Sequence, residues 1–160
     1  MAVNRERPHL LVLPEDDATR SLADGFSDMV TGAMQVLRPA RGWPHVLETF
    51  LRDHVAYLRK YPGAHIVLLI DFDDEHPSRL IHFQSHFPAD VADRVYVLGA
   101  LTEAETLKRE EHRKFGPLGS DLARECESQT PMLWLCPQLK HNQPELERLM
   151  RQVRPFLCGP

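Results

Sequence analysis

Acidic residues follow several apolar segments of this sequence. Glu15 follows the first apolar run, and Asp71 and Asp73 follow the third. Glu105 comes shortly after the fourth run. Carboxylate oxygens are hard ligands that favour Mg²⁺ or Mn²⁺, and carboxylates gathered in one place repel each other unless a cation neutralises them. The residue types therefore predict a Mg²⁺ or Mn²⁺ site, provided that the fold brings these acids together.

The same acids also have a structural interpretation. Asp16 or Asp17 can cap a helix after the first run, because acidic side chains accept hydrogen bonds from free helix N–H groups and complement the helix dipole. Glu105 can play a similar part after the fourth run. Asp71 and Asp73 differ, because alternate positions after a wholly apolar segment place two carboxylates on one side of a strand end. We therefore expect function at this pair and leave capping open for the others.

The apolar segments alternate with stretches of helical periodicity. Strands are predicted at residues 9–13, 34–37, 65–70 and 94–99. The third is apolar on both faces, as expected of an interior strand in a parallel sheet covered by helices. Helices are predicted near residues 18–30, 44–58, 102–114, 120–127 and 144–153. Thr102 and Glu105 have the spacing of a capping box. The stretch between the third and fourth strands shows no secure periodicity.

This alternation predicts the fold class. Through residue 114 it indicates an α/β, doubly wound, mainly parallel four-stranded sheet, followed by a mainly helical C-terminal extension at 115–160. The length is enough to bury a core, so we expect one domain over 1–160 with its α/β core at 9–114. Ligands of such sheets bind beyond the carboxyl ends of the strands, where the strand order reverses. The acids are expected at that edge.

The order of these parts resembles the Toprim domain of topoisomerases, primases and small nucleases, over residues 9–114. A strand ending in Glu, a helix, a strand, a helix and an apolar strand ending in Asp-x-Asp follow one another. The resemblance implies that Glu15 acts at the metal as a general acid or base, and that Asp71 and Asp73 hold Mg²⁺. One position departs from the family: most Toprim sequences have Gly after the Glu, where this chain has Asp16.

The resemblance extends to later residues. Glu105 looks like the additional acid found in Toprim nucleases of the overcoming-lysogenization-defect class and in small proteins related to them, which implies a further metal ligand. Those nucleases use a late lysine near the reacting phosphate, and Lys140 is the available candidate, although it also suits a loop before a helix capped by Asn142. The resemblance implies a Mg²⁺-dependent nuclease or related phosphoryl-transfer protein acting on nucleic acid, working alone or with an ATPase partner. DNA, RNA and nucleotides all fit as substrate.

Two alternatives stay open. A non-catalytic Toprim-like subunit would use the same acidic edge to bind a protein partner. A receiver-like signalling domain also has paired acids after its first strand, but this chain shows no late Lys-Pro after a fifth strand. Neither GxGxxG nor GxxxxGK[ST] is present, which disfavours a dinucleotide-binding or P-loop enzyme. His82 and His86, four residues apart, are interpreted as solvated rather than metal-binding, and Cys126 as an unreactive thiol.

The composition limits the partners and the compartment. Lys and Arg total 19 against 23 for Asp and Glu, giving a formal charge of −4. This balance disfavours strong non-specific nucleic-acid binding but allows a local basic channel. The 3 cysteines lack CxxC spacing and suit a reducing compartment. No apolar run approaches the roughly 20 residues of a membrane span, so we expect a cytoplasmic protein with no membrane partner. The oligomeric state is left open.

Overall fold

A computed structural model describes residues 2–158 and contains a four-stranded parallel sheet. The strands are β1 (His9–Pro14), β2 (Met34–Val36), β3 (Ala64–Leu69) and β4 (Val95–Leu98). They lie in the order β2-β1-β3-β4, and every neighbouring pair is parallel. The predicted α/β sheet with its third strand in the interior is therefore confirmed.

Helices connect and cover the strands. They are α1 (Asp17–Ser27), α2 (Trp43–Thr49), α3 (Val55–Lys60), α4 (His76–Ser85), α5 (Ala104–Glu111), α6 (Phe115–Glu125) and α7 (Gln143–Leu157). A π-helical turn at Phe50–His54 joins α2 to α3, and short 3₁₀ turns occupy Ala92–Arg94 and Lys140–Asn142. Among residues 2–158, no helix is both long and apolar enough to cross a membrane.

The two faces of the sheet bury alternate residues of each strand, as the pleat of a strand requires. In β1, Leu10 and Val12 pack with α1, α5, α6 and α7 on one face. Leu11 and Leu13 pack with α2, α3 and α4 on the other. The predicted C-terminal extension thus supplies two helices, α6 and α7, to the same core as α1.

The sequence predicted no element between the third and fourth strands, yet α4 fills this stretch. Pro77 lies at its first turn, where a missing N–H costs nothing. Phe83 is its buried residue, so α4 has little of the apolar periodicity by which a helix is detected in sequence.

The start of α5 also differs from the predicted capping box. The N-cap residue is Glu103, and no side chain caps the helix. The hydroxyl of Thr102 instead donates a hydrogen bond to Asp74 Oδ1 at 3.0 Å, across to the loop after β3. The predicted role of Thr102 is therefore wrong, because a tertiary contact takes the place of the local one.

The strand order reverses between β1 and β3. From β1 the chain moves outward to β2, then returns to the opposite side of β1 to form β3. In open parallel sheets a crevice for ligands forms beyond the carboxyl ends of the strands on either side of such a reversal. Glu15 directly follows β1, and Asp71 lies two positions beyond β3. The topology itself thus places these two acids at the crevice.

Candidate metal centre

Three carboxylates converge at the strand-order reversal. Glu15, Asp16 and Asp71 each offer an oxygen that lies within 4.8 Å of the oxygens of the other two. Glu15 and Asp71 are each only 7% exposed, while Asp16 is half-buried. The expected meeting of Glu15 and Asp71 is observed. This set of hard oxygen donors can hold a metal ion.

Glu15 is fixed by backbone contacts on both of its sides. Its N–H donates to the Leu69 carbonyl oxygen at 2.9 Å, which extends the pairing of β1 with β3 beyond the strand. Its carbonyl oxygen accepts hydrogen bonds from the N–H groups of Arg41 at 2.8 Å and Gly42 at 3.2 Å. Arg41 and Gly42 have φ of 70° and 117°, so the loop before α2 bends sharply around Glu15. The backbone that carries the carboxyl group is therefore held by hydrogen bonds on both sides.

Asp71 is held by the element that follows β4. The N–H of Ala104, at the start of α5, donates to Asp71 Oδ1 at 2.9 Å. The N–H of Asp71 itself donates to Glu15 Oε2 at 3.3 Å, which links the two carboxylates through one peptide group. One carboxylate thus faces a helix N-terminus, where the helix dipole favours negative charge.

Asp16 has a double role. It is the N-cap of α1, and its Oδ1 accepts a hydrogen bond from the Thr19 N–H at 2.9 Å. The Asp16 N–H donates in return to Thr19 Oγ1 at 3.1 Å, which completes a capping box. Asp16 is therefore both a structural cap and a member of the acidic triad of Glu15, Asp16 and Asp71.

The environment of the triad opposes negative charge. Burial is the main cause that raises the pKa of Glu15 to about 8, followed by the charge of Asp71. Burial also raises the pKa of Asp71 to about 6, against the opposing hydrogen bond from the Ala104 N–H. At neutral pH the triad therefore carries less charge than its formal count, and a bound cation would reverse this by favouring the ionised forms.

Asp73 is the predicted metal ligand that the triad does not include. Its Oδ2 accepts a hydrogen bond from Arg79 Nη1 at 2.6 Å, and the same nitrogen donates to the Asp71 carbonyl oxygen at 3.0 Å. The Arg79 guanidinium also lies 4.4 Å from the centre of the Trp43 ring. Asp73 has φ of 51°, in the left-handed region, so the chain turns as it leaves β3. The carboxylate that was expected to bind Mg²⁺ is therefore paired with a partly buried arginine.

Glu105 and Lys140 lie near the crevice edge but outside the triad. Glu105 is exposed in the first turn of α5. Lys140 is exposed in the 3₁₀ turn before α7. That region is fixed to the end of β4, because the N–H of Leu101 donates to the Gln138 carbonyl oxygen at 2.8 Å. The fold thus holds the Lys140 segment at the carboxyl edge of the sheet.

A basic depression, which was not predicted from the sequence, lies along α5 and the three residues after it, and it is lined by one acid and several basic side chains. They are Glu105, Lys108, Arg109, His112, Arg113 and Lys114. Arg113 is ion-paired with Asp121. Glu110 and Glu111 lie on another side, where their charges act on Cys136. In the linear sequence these two acids interrupt the basic residues, and only the helical arrangement separates them.

Two minor interpretations agree with the structure. His82 and His86 are exposed, with ring centres 4.8 Å apart, and the His86 ring lies at hydrogen-bond distance from the His82 carbonyl oxygen. Cys126 is buried, which raises the pKa of its thiol to about 12. A thiol with so high a pKa is a poor nucleophile at neutral pH.

Comparisons of the chain with protein-family models, curated proteins and solved structures give no match.

Proposed function

We propose that this protein is a Mg²⁺-dependent phosphoryl-transfer enzyme that cleaves nucleic-acid phosphodiesters. The observation that carries the proposal is the acidic triad, with its oxygens within 4.8 Å of one another, at the strand-order reversal. Buried carboxylates at this separation are stable only when a proton or a cation reduces their mutual repulsion. Their position at the crevice where parallel sheets bind ligands favours a role in binding and catalysis over a purely structural one.

The three triad residues are assigned different roles because their surroundings differ. Asp71 and Asp16 each use one oxygen in a hydrogen bond to a helix N-terminus, and each has a second oxygen available for the ion. Glu15, with its pKa near 8, can accept or donate a proton near neutral pH. Bound Mg²⁺ supplies Lewis-acid polarisation of a phosphate oxygen and lowers the pKa of bound water. Lys140, at the exposed edge, is proposed to contact the phosphate.

A nucleic-acid substrate is supported by the basic depression on α5. The first residue of this helix, Ala104, donates to Asp71. His112, which lines the depression, follows eight positions later, a rise of roughly 12 Å along the helix axis. One helix and its C-cap therefore connect the acidic triad to a surface that can neutralise phosphates. A strand whose phosphodiester lies at the triad can place neighbouring phosphates over the basic depression.

The decisive experiment compares wild type with Asp71→Asn in a Mg²⁺- or Mn²⁺-supplemented cleavage assay on single- and double-stranded DNA and RNA. We expect Asp71→Asn to lose at least about a hundredfold in rate, because it removes a metal ligand without changing side-chain volume. Its melting temperature should hold or rise, since like-charge repulsion is relieved.

Asp17→Asn is the matched control for that assay. Asp17 is the next acid in the chain after the triad member Asp16, but it is exposed and paired with Arg41 at 3.2 Å. Its substitution should leave the rate unchanged. Equal activity in wild type and Asp71→Asn would refute the nuclease proposal.

A second candidate is a non-catalytic subunit that binds a partner protein, such as an ATPase. It is favoured by the ion pair of Asp73 with the partly buried Arg79, which removes one acid from metal binding. On this alternative, wild type alone shows no cleavage with either metal. Asp71→Asn would then weaken capture of the partner instead of the reaction.

A further inference from the structure

One buried nitrogen near the crevice has no hydrogen-bond partner. Among the side chains of residues 2–158, His141 Nδ1 is the sole buried polar atom left without one. Buried polar atoms are almost always paired, so an unpaired one needs an explanation such as a bound ion or water. The atom belongs to the 3₁₀ turn that precedes α7.

The hydrogen bond of the other ring nitrogen, Nε2, determines which nitrogen of His141 carries the hydrogen. Nε2 lies 2.7 Å from the Gly99 carbonyl oxygen, which can only accept a hydrogen bond, so Nε2 carries the hydrogen. In the neutral ring Nδ1 then presents a bare lone pair. A backbone carbonyl that orients an imidazole through its second nitrogen is the usual arrangement behind a histidine metal ligand.

A second imidazole lies against the His141 ring. The ring of His76, the first residue of α4, has its centre 4.6 Å from the centre of the His141 ring. Phe72 packs edge-on against both rings, at 4.9 Å from His76 and 5.4 Å from His141. His76 is half-buried, so the pair has a solvent-facing side.

We propose that His76 and His141 bind a divalent cation of the class that prefers imidazole, with Zn²⁺ as its representative. Imidazole nitrogen suits Zn²⁺, whereas carboxylate oxygen suits Mg²⁺, so this site differs in kind from the acidic triad. Two protein ligands leave further positions of a tetrahedral Zn²⁺ for water or another ligand. The proposal does not depend on nuclease activity.

The surroundings keep both rings neutral, as metal binding requires. Burial lowers the pKa of His141 to about 4 and also lowers the pKa of His76. At neutral pH neither ring is protonated, so each keeps a nitrogen lone pair that can bind a metal. The two rings are brought together by elements 65 positions apart in the chain, α4 and the turn before α7.

The test uses the full chain, ¹⁵N-labelled and saturated with Mg²⁺, and titrates it with Zn²⁺ while the imidazole nitrogens are followed by NMR. The metal-free protein should show His141 with hydrogen on Nε2. Zn²⁺ should shift the His141 Nδ1 resonance and saturate at one ion per chain. His76→Ala should weaken this Zn²⁺ affinity by at least about tenfold while keeping the wild-type melting temperature.

The double variant His82→Ala/His86→Ala is the matched control, because its two exposed rings are 4.8 Å apart but the His86 Nδ1 already faces the His82 carbonyl oxygen at 2.8 Å. It should bind Zn²⁺ as wild type does. Glu15→Gln should also keep the His141 shift, which separates this site from the triad. Absent Zn²⁺ binding, unchanged affinity in His76→Ala, or Zn²⁺ binding that leaves His141 Nδ1 unshifted would overturn the proposal.

Discussion

Glu15 shows at the scale of one residue how burial and hydrogen bonding compete. The Asp71 N–H donates to its carboxylate, which favours the ionised form. Burial and the neighbouring carboxylate of Asp71 act in the opposite direction and prevail, so the pKa rises to about 8. A carboxyl group with so high a pKa can hold a proton near neutral pH, or a cation that favours its ionised form.

This raised pKa makes the stability of the metal-free protein depend on pH. The folded protein binds the Glu15 proton more tightly than the unfolded chain, whose Glu pKa is near 4.5. The resulting stability is complete below pH 4.5 and is lost as pH rises through about 8. We predict that Glu15→Gln, which is always neutral, raises the free energy of unfolding at pH 8 by on the order of 1–3 kcal/mol. Urea unfolding in EDTA at pH 5 and pH 8 measures it.

Glu48→Gln is the control for this prediction, because Glu48 is exposed in α2 outside the triad and should change stability little at either pH. Millimolar Mg²⁺ should stabilise wild type more at pH 8 than at pH 5, since protons and the cation compete for the same carboxylates. A Glu15→Gln variant that is less stable than wild type at pH 8 would contradict the argument and assign Glu15 a structural role.

At the scale of elements, the part of the site that follows from strand topology could be predicted from sequence. Glu15 and Asp71 follow strongly apolar strands, and parallel strands place their carboxyl ends at one edge. The fate of Asp73 could not be predicted, because its partner Arg79 lies on α4, a helix with almost no apolar periodicity. Likewise, nothing local indicates that the Thr102 hydroxyl contacts the loop after β3 instead of capping α5.

The close approach of β3 and β4 at their carboxyl ends depends on Gly99. The N–H of Ile70 donates to the Leu98 carbonyl oxygen at 2.9 Å, and a Cβ at Gly99 would overlap the Ile70 carbonyl oxygen. We predict that Gly99→Ala destabilises the protein by about 1–3 kcal/mol, because the strand ends must separate. Thermal unfolding measures the loss.

Gly32→Ala provides the comparison for that substitution, since a Cβ at Gly32 meets no atom within 4 Å. It should leave the melting temperature almost unchanged or raise it slightly. Gly99→Ala should also weaken Mg²⁺ binding, because the strand end that it displaces leads to Asp71. A Gly99→Ala protein as stable as Gly32→Ala would show that the strand ends are not tightly packed.

At the scale of the whole molecule, the charge is unevenly distributed. The chain carries a formal charge of −4, yet one end of α5 presents the basic depression. Exposed charges act over a Debye length, about 8 Å at physiological ionic strength, so a local basic surface can attract phosphates on a protein that is acidic overall. This local surface, and not the net charge, should govern binding to nucleic acid.

Nucleic-acid binding can be measured in EDTA, where no metal-dependent cleavage occurs. Lys108→Ala/Arg109→Ala/Lys114→Ala should weaken the binding of a fluorescent single-stranded oligonucleotide and lower the slope of log affinity against log salt by about 2, because each lost phosphate contact contributes about 0.7. The control is a triple alanine variant that removes the same charge from exposed positions elsewhere: Arg52 in the π-helical turn, Lys60 in α3 and Arg151 in α7. That control should keep nearly the wild-type slope. Equal losses in both triple variants would assign binding to net charge, whereas unchanged binding in the first would exclude the basic depression as the phosphate contact. In either case the Asp71→Asn cleavage test still stands, because it depends on the acidic triad and not on α5.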